Sequence, residues 1–415
     1  MKKRAIALAD RAASLSLGLL GALNMLFIVV FYFALLFAVA QGNAAEDIAC
    51  KGGDMLARMA TDDPTTLKAI RDEAATVENG SGLLWRIDLE GAAPSYLFGT
   101  MHVSDPRVVQ LPDAAKAAFE QAGTVVIETT DILDQSKMMA AMLAQPDLMM
   151  FTDDTTLFSL MTPEDRAMVE AALSARGIPP ASVAKMKPWM IASMVALPAC
   201  ELARKAAGAP VLDAMLAEQA KAAGREVAGL ESAVDQLSAM ASLPLDFHVQ
   251  GLVDTLKLGD AMDDVIETMI ILYLDGQTGM FWPFFREALP QSDTDGDGGF
   301  VDFEERMVTA RNRTMAEGAQ AFIRDGSAFI AVGALHLPGP DGVVSLLQKA
   351  GYSVEPVSTN DDPPIVGGDV DEHGCKGSAG YSWCAGTGKC ERPWELARAK
   401  GFENSLEGFN AYCGQ

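Results

Sequence analysis

Short apolar segments separated by long helical stretches constrain the fold of this chain more than any other feature. Ser95–Thr100, Thr124–Glu128 and Ala328–Gly333 are short, apolar and bounded by glycine or polar residues, which predicts buried strands. Weaker strand patterns lie at 83–89, 225–231 and 352–357. A turn at 90–94 separates the first two segments along the chain, and mostly helical sequence separates the others. This alternation predicts an α/β fold, a layered mixed sheet with many helices.

The N-terminal segment, residues 1–40, has the pattern of an export signal. Lys2, Lys3 and Arg4 precede an uncharged stretch that begins at Leu15 and is long enough to cross a bilayer as a helix. Basic residues before this stretch and acidic residues after it predict a cytoplasmic N-terminus and an exported remainder. Ala38–Ala40 resembles a cleavage site, so the segment is either a cleaved signal peptide or a retained signal anchor. We therefore expect a periplasmic or cell-envelope protein.

Six cysteines follow the N-terminal segment, an even number that suits an oxidising compartment. Two of them, Cys50 and Cys200, lie outside a cysteine-rich C-terminal segment, so we expect them to form a disulfide with each other. Residues 374–415 contain the other four, whose spacing favours two disulfides over a zinc site. These four are Cys375, Cys384, Cys390 and Cys413. The sequence leaves their pairing open.

Residues 359–373 are acidic and rich in proline and glycine, as in a linker. The sequence therefore predicts a main domain at about 48–358, this linker, and a small disulfide-rich module at 374–415. The aromatic residues of the disulfide-rich module form either a binding face or simply a small core.

Two of the four histidines occur in matching local contexts. Gly99-Thr100-Met101-His102 follows one predicted strand, and Gly333-Ala334-Leu335-His336 follows another. Ligands of layered α/β folds gather beyond the carboxyl ends of the strands, and glycine there allows close approach of the backbone. Glu128 also ends a predicted strand. We expect these three side chains to share one crevice.

Two neutral imidazoles and a carboxylate can bind a divalent transition metal, here Mn, Co or Zn. Such an ion lowers the pKa of bound water to about 7 and so provides a nucleophile for hydrolysis. The alternatives are that each histidine is an ordinary hydrogen-bonded residue and that Glu128 is a helix cap or a surface carboxylate.

Several segments together resemble the TraB/GumN family, which includes the TIKI proteins. The matching segments are Ser95–His102, Val126–Glu128, Leu212–Asp213 with Ala220, Gly229–Glu231 with Gln236, Arg311–Asn312, and Phe329–Gly339. The resemblance spans roughly residues 48–358. It implies a fold like that of erythromycin-esterase-like and ChaN-like proteins, and a metal-dependent, peptidase-like activity by analogy with the TIKI branch.

The resemblance also assigns roles to individual residues. It implies that His102 and His336 are the metal-binding or catalytic pair and that Glu128 is a ligand or general base. Arg311 becomes a possible partner for an oxyanion or a substrate carboxylate, and Glu231 is a weaker candidate.

A second metal site is predicted by residues 293–304, which match an EF-hand calcium loop. Its oxygen ligands and turn would come from Asp293, Asp295, Asp297, Gly299 and Glu304. Pro290, where the entering helix should end, and Val301, which has no side-chain oxygen, depart from the pattern. The alternative is an acidic solvated loop.

The net charge of −24 disfavours nucleic acid as a partner, because such a surface repels phosphate backbones. The sequence thus favours an exported metal-dependent hydrolase that acts on peptides or proteins, with a membrane contact only through residues 1–40. One alternative is a binding protein that sequesters a peptide or haem in the same crevice. Another is an envelope scaffold. Oligomeric state is not readable from the sequence.

Overall fold

The computed structural model describes residues 50–288, 298–359, 373, 375, 381–402 and 406–414. The predicted export signal lies outside these residues, as do Asp293, Asp295 and Asp297 of the predicted calcium loop. Within the described ranges, no helix is both long and apolar enough to cross a bilayer. Export, membrane anchoring and calcium binding therefore stay predictions.

Six strands form the central sheet, and the bounds of all six differ from the predicted ones by at most two residues at either end. The strands are β1 Leu84–Asp88, β2 Ser95–Thr100, β3 Thr124–Ile127, β4 Glu226–Gly229, β5 Ala328–Gly333 and β6 Ser353–Val357.

The order of strands across the sheet is β4-β3-β5-β2-β1-β6. Neighbouring strands run parallel from β4 to β2, whereas β1 is antiparallel to both β2 and β6. The predicted α/β fold with a layered mixed sheet is therefore confirmed. The parallel half brings the carboxyl ends of β2, β3 and β5 to one edge.

Alternate side chains of the central strands pack into two cores, one on each face of the sheet. On β5, Phe329 and Ala331 lie in one core, while Ala328, Ile330 and Val332 lie in the other. This alternation follows from the two-residue period of a strand. Since both faces are buried, β5 has the continuous apolar sequence expected of a central parallel strand.

Helices cover both faces and extend beyond the sheet. They are α1 Met55–Asp62, α2 Pro64–Ala74, α3 Pro106–Val109, α4 Asp113–Gln121, α5 Gln135–Ala144, α6 Pro163–Ala175, α7 Pro180–Val183, α8 Pro188–Val195, α9 Ala199–Ala206, α10 Leu212–Ala222, α11 Ala233–Ala241, α12 Leu245–Leu258, α13 Ala261–Leu274, α14 Phe281–Ala288, α15 Gly298–Glu304, α16 Ala310–Asp325 and α17 Val343–Lys349. Two more helices, α18 Pro393–Lys400 and α19 Leu406–Cys413, belong to the C-terminal part of the chain.

The start of α6 agrees with the capping signal in its sequence. The Thr162 side chain accepts a hydrogen bond from the backbone N–H of Asp165, and Pro163 occupies the first turn.

Side chains of α6, α8 and α12 form a third apolar core, which includes Leu173 and Ile191. A five-residue π-helical turn, Glu305–Thr309, leads directly into α16.

Gly299 and Glu304 of the predicted calcium loop lie in α15. Burial raises the pKa of the Glu304 carboxyl, and the negative charges of Glu305 and Glu73 act in the same direction. Because the three aspartates lie outside the described residues, calcium binding at this segment stays a prediction.

The disulfide expected between Cys50 and Cys200 is present and joins the start of the described chain to α9. The chain divides into two compact units between Val357 and Ser358. In the C-terminal unit, Cys375 bonds Cys390 and Cys384 bonds Cys413, which resolves the pairing that the sequence left open. A two-stranded ribbon, β7 Ser382–Cys384 and β8 Lys389–Glu391, completes this unit.

Candidate functional site

The two GxxH segments begin at the ends of neighbouring strands. Strands β2 and β5 are parallel and paired in register, with Gly99 opposite Val332 and Thr100 opposite Gly333. Strand β3 lies on the other side of β5 and ends one residue before Glu128. The fold therefore brings His102, His336 and Glu128 to the same edge of the sheet.

Close packing explains why both motifs begin with glycine. A Cβ at Gly99 would lie 2.7 Å from Cδ1 of Leu337 and 3.2 Å from Cα of Ala334, so the two GxxH loops contact each other at this point. A Cβ at Gly333 would lie 3.2 Å from Oε1 of Glu128. Larger residues would separate the loops at the first position and push the carboxylate away at the second.

Glu128 is buried at the centre of the site, and both of its oxygens have partners. Oε1 accepts the backbone N–H of Gly333 at 2.7 Å, while Oε2 accepts from Arg311 at 2.8 Å and from Gln236 at 3.0 Å. Burial alone would raise the pKa of this carboxyl. At the low pH where Glu128 titrates, the protonated rings of His336 and His102, the charge of Arg311 and the Gly333 hydrogen bond outweigh burial and lower the pKa to about 2.

Arg311 joins two buried carboxylates. Its Nη2 donates to both Glu128 and Glu231 at 2.8 Å, its Nε donates to Glu231, and its Nη1 donates to the carbonyl of Met307 at 3.2 Å. Burial would lower the pKa of the guanidinium, but the two carboxylates raise it above its ordinary value. All three guanidinium nitrogens are therefore engaged within the protein.

His336 is buried, and its neighbours fix which ring nitrogen faces the site. Asn312 donates through Nδ2 to the carbonyl of Asp341 at 2.9 Å, so its Oδ1 turns toward Nδ1 of His336 at 2.6 Å. The Nδ1 atom therefore carries the hydrogen, and the Nε2 lone pair points toward Glu128, whose Oε1 lies 3.7 Å away. Burial lowers the pKa of His336 to about 4 and keeps the ring neutral.

His102 differs from His336 in exposure, since 57% of its side chain is accessible to solvent. Its Nε2 lies 3.4 Å from Oδ2 of Asp213, a buried carboxylate at the start of α10. Desolvation opposes protonation of His102, but the charges of Asp213 and Glu128 raise its pKa to about 9. The two histidines therefore titrate on opposite sides of neutrality.

Sequence reasoning named Asp213, Asn312 and Gln236 only as matches to the family pattern and gave them no role. Asn312 directs His336, Gln236 bonds Glu128, and Asp213 faces His102. These residues lie far from their partners in the sequence, so no local pattern predicts the contacts. Arg311 and Asn312 are adjacent in the sequence, and the first contacts Glu128 while the second contacts His336.

The donor atoms fit a divalent cation in part. Oδ2 of Asp213 is buried without a hydrogen-bond donor, and Nε2 of His336 has a free lone pair, as metal ligands require. Both oxygens of Glu128 are already engaged. Among the described residues, no three His, Cys, Asp or Glu side chains lie close enough together to hold a metal ion.

Comparisons with known proteins find relatives that are named metalloproteases. The chain is 24% identical to "Metalloprotease TIKI1" of Danio rerio over 315 residues, covering 66% of this chain and 63% of the relative. It is 24% identical to "Metalloprotease TIKI2" of Danio rerio over 336 residues, 71% and 64% of the two chains. "Metalloprotease TIKI1" of Homo sapiens is 23% identical over 316 residues, 66% and 62%.

This chain thus spans less than two thirds of the length of these relatives. No solved structure matches it. The model of the TraB/PrgY/gumN family matches residues 83–356, which is well over half of the chain and includes both GxxH loops, Glu128 and Arg311. The chain therefore belongs to the TraB/PrgY/gumN family.

Proposed function

We propose that this protein is an exported, metal-dependent hydrolase that cleaves peptide bonds in the crevice between the two GxxH loops. One observation carries the proposal: the loops that bear the two imidazoles contact each other, and each imidazole lies beside a buried carboxylate, His336 beside Glu128 and His102 beside Asp213. Such convergence of titratable groups with strongly shifted pKa values is typical of catalytic sites. The relatives named as metalloproteases support the hydrolase class.

His336 and, once it has lost its proton, His102 are the residues that would hold the metal, Mn, Co or Zn. When bound, such an ion supplies a water molecule of lowered pKa and polarises a carbonyl. Asn312 supports this role of His336, because it leaves Nε2 unprotonated and aimed at the crevice. The exposed ring of His102 suits contact with an incoming peptide.

Glu128 and Arg311 receive roles that differ from those implied by the family resemblance. With a pKa of about 2, Glu128 is a weak proton acceptor at neutral pH, so a general-base role is poorly supported. We assign it instead the fixed negative charge that orients the loop at Gly333 and holds Arg311. Arg311 and Glu231 complete this network of fixed charges. The Arg311 guanidinium can bind an oxyanion only if it gives up its hydrogen bonds to one of the two carboxylates.

The compartment is part of the proposal. The described residues contain three disulfides and no free cysteine, as expected for a protein that works outside the cytoplasm. We propose a periplasmic or cell-envelope location and a peptide or protein substrate there.

A peptide-library digest tests the proposal. Purified residues 41–415 are incubated with Mn²⁺, Co²⁺ or Zn²⁺, and new termini are identified by mass spectrometry. We expect cleavage that a chelator stops and that His102→Ala and His336→Ala each abolish. The double variant should lose little more than either single one, because the residues act as a unit.

His373→Ala, in the separate C-terminal unit, is the matched control and should retain activity. Peptide capture without any new terminus would contradict hydrolysis and favour the alternative of a binding protein.

A further inference from the structure

His102 lies midway between two buried, hydrogen-bonded residues, Thr100 and Ser104. The hydroxyl of Thr100 donates to Oδ1 of Asp213 at 2.8 Å. The His102 side chain itself is 57% exposed. A ring with so much exposed surface has little packing of its own, so its position depends on how the backbone is held on either side of it.

Glu201, on helix α9, holds the backbone on the C-terminal side of His102. Its Oε1 accepts the backbone N–H of Ser104 at 2.8 Å, and its Oε2 accepts the Ser104 hydroxyl at 2.8 Å. Both oxygens of this carboxylate are therefore engaged by one residue, two positions after His102. Two hydrogen bonds to the same residue fix both the location and the rotation of Ser104, and so the path of the loop as it leaves His102.

Helix α9 is itself attached to the rest of the protein on both sides of Glu201. Cys200, the preceding residue, forms the disulfide with Cys50. Arg204, one turn further along, is buried and donates to the carboxylate of Asp105 at 3.2 Å. The helix thus contacts two consecutive residues of the His102 loop from a covalently fixed position.

Stability alone is a weak reason for this arrangement. Glu201 is only 2% exposed, and burying a carboxylate is costly even where hydrogen bonds compensate it. Apolar packing of similar volume is often as stable as a buried charged group, or more so. Buried polar contacts of this kind are, however, well suited to holding a functional side chain within about 0.5 Å of its working position.

We propose that Glu201 is a positioning residue for His102: through Ser104 it sets the path of the loop and so keeps the imidazole beside Asp213. The inference rests on the proposed function for the part that His102 plays in the reaction. The placement of the ring can be measured without any substrate.

Nuclear magnetic resonance of the histidine rings tests that placement. The chain has four histidines, so a sample labelled at the imidazole carbon between the two nitrogens gives a simple spectrum, in which His102→Asn identifies the His102 resonance. Glu201→Ala removes both hydrogen bonds to Ser104. We expect the His102 resonance to shift or broaden in this variant while that of His336 stays in place.

Glu201→Gln separates hydrogen bonding from charge. Its amide oxygen can accept the Ser104 N–H, and its amide NH₂ can donate to the Ser104 hydroxyl. We therefore expect the His102 resonance of this variant to stay close to that of the wild type.

Ser95→Ala is the matched control for the loss of a buried hydrogen bond. The Ser95 hydroxyl accepts the backbone N–H of Ala328 at 3.1 Å, where β2 and β5 begin, at the edge of the sheet opposite the crevice. This variant should leave the His102 resonance unchanged. Ser104→Ala removes only one of the two bonds to Glu201 and should displace the resonance less than Glu201→Ala does; it decides the question if Glu201→Ala does not fold.

Peptide cleavage provides the functional readout. Glu201→Ala should lower kcat on the order of 100-fold, because a displacement of about 1 Å can have that effect, and it should leave KM nearly unchanged. Glu201→Gln should restore most of kcat, and Ser95→Ala should retain it.

The assignment is overturned if the His102 resonance of Glu201→Ala and Ser104→Ala coincides with that of the wild type, or if Glu201→Gln displaces it as far as Glu201→Ala does. Failure of the proposed function is a separate outcome. A displaced resonance in a protein that cleaves no peptide sustains the positioning role and contradicts the hydrolase, whereas undiminished cleavage by Glu201→Ala with an unmoved resonance does the reverse.

Discussion

Arg311 neutralises two buried carboxylates, so its removal should destabilise the fold severely. In Arg311→Met the aliphatic part of the side chain is largely retained, but five hydrogen bonds to Glu128, Glu231 and the Met307 carbonyl are lost. The carboxylate side chains are only 6% and 4% exposed, so water cannot replace the guanidinium. Breaking a buried ion pair from one side costs about 3–5 kcal/mol, and we expect a loss in that range.

The loss should depend on pH in a defined direction. In the folded wild type the pKa of Glu128 is about 2, well below its ordinary 4.5. Without Arg311 that pKa rises, so the folded variant takes up a proton more readily than the folded wild type as the pH falls. The difference in unfolding free energy between wild type and variant should therefore be larger at pH 7 than at pH 4.5, by about 1.4 kcal/mol for each unit by which the Glu128 pKa of the folded variant exceeds 4.5.

Urea unfolding at both pH values measures these free energies. Arg313→Met is the matched control, since Arg313 lies two residues further along the same helix and pairs with Glu305 on the surface. Exposed pairs contribute roughly 0–1 kcal/mol, so this variant should stay within that range. A loss below about 1 kcal/mol for Arg311→Met, or a loss that is larger at pH 4.5 than at pH 7, would refute the reasoning.

Replacing both Cys50 and Cys200 by alanine should lower the unfolding free energy by about 4–5 kcal/mol in the chain-entropy model, since the bond closes a loop of 150 residues; urea unfolding tests this. His336 has a folded-state pKa of about 4, below its ordinary 6.5, so its contribution to stability is complete above pH 6.5 and falls as the pH drops toward 4. Between pH 6.5 and pH 4, the unfolding free energy of the wild type should fall by on the order of 3 kcal/mol more than that of His336→Asn. Parallel curves of unfolding free energy against pH would contradict this. Limited proteolysis should cut first within 359–373 and release the disulfide-bonded C-terminal unit; initial cuts elsewhere would count against a linker there.

The strands could be predicted because their signal is local. Ser95–Thr100 and Ala328–Gly333 are continuous apolar segments that end at polar or glycine residues, and the structure has strands with these same bounds. A central parallel strand is buried on both faces, so its consecutive residues are apolar and the strand can be recognised from the sequence. The disulfide between Cys50 and Cys200 was predictable for a different reason, because the other four cysteines lie together beyond the linker.

The electrostatics of the site could not be predicted in the same way. The sequence shows two histidines in equal contexts, yet one ring is buried with a pKa of about 4 and the other is half exposed with a pKa of about 9. The difference comes from Asn312 and Asp213, which reach the two rings from α16 and α10. A pKa depends on burial and on charges within a few ångströms, and these come from distant parts of the chain.

The sequence alone therefore determined the class of fold, the extent of the family resemblance, and the motifs that end β2 and β5. Tertiary structure decided how these motifs are used. It set the parallel pairing of β2 with β5, placed Leu337 against Gly99, engaged both oxygens of Glu128, and placed Asp213 beside His102. The physical reason is that strand and turn preferences are properties of neighbouring residues, whereas hydrogen bonds and charge pairs in a buried crevice join residues that only folding brings together.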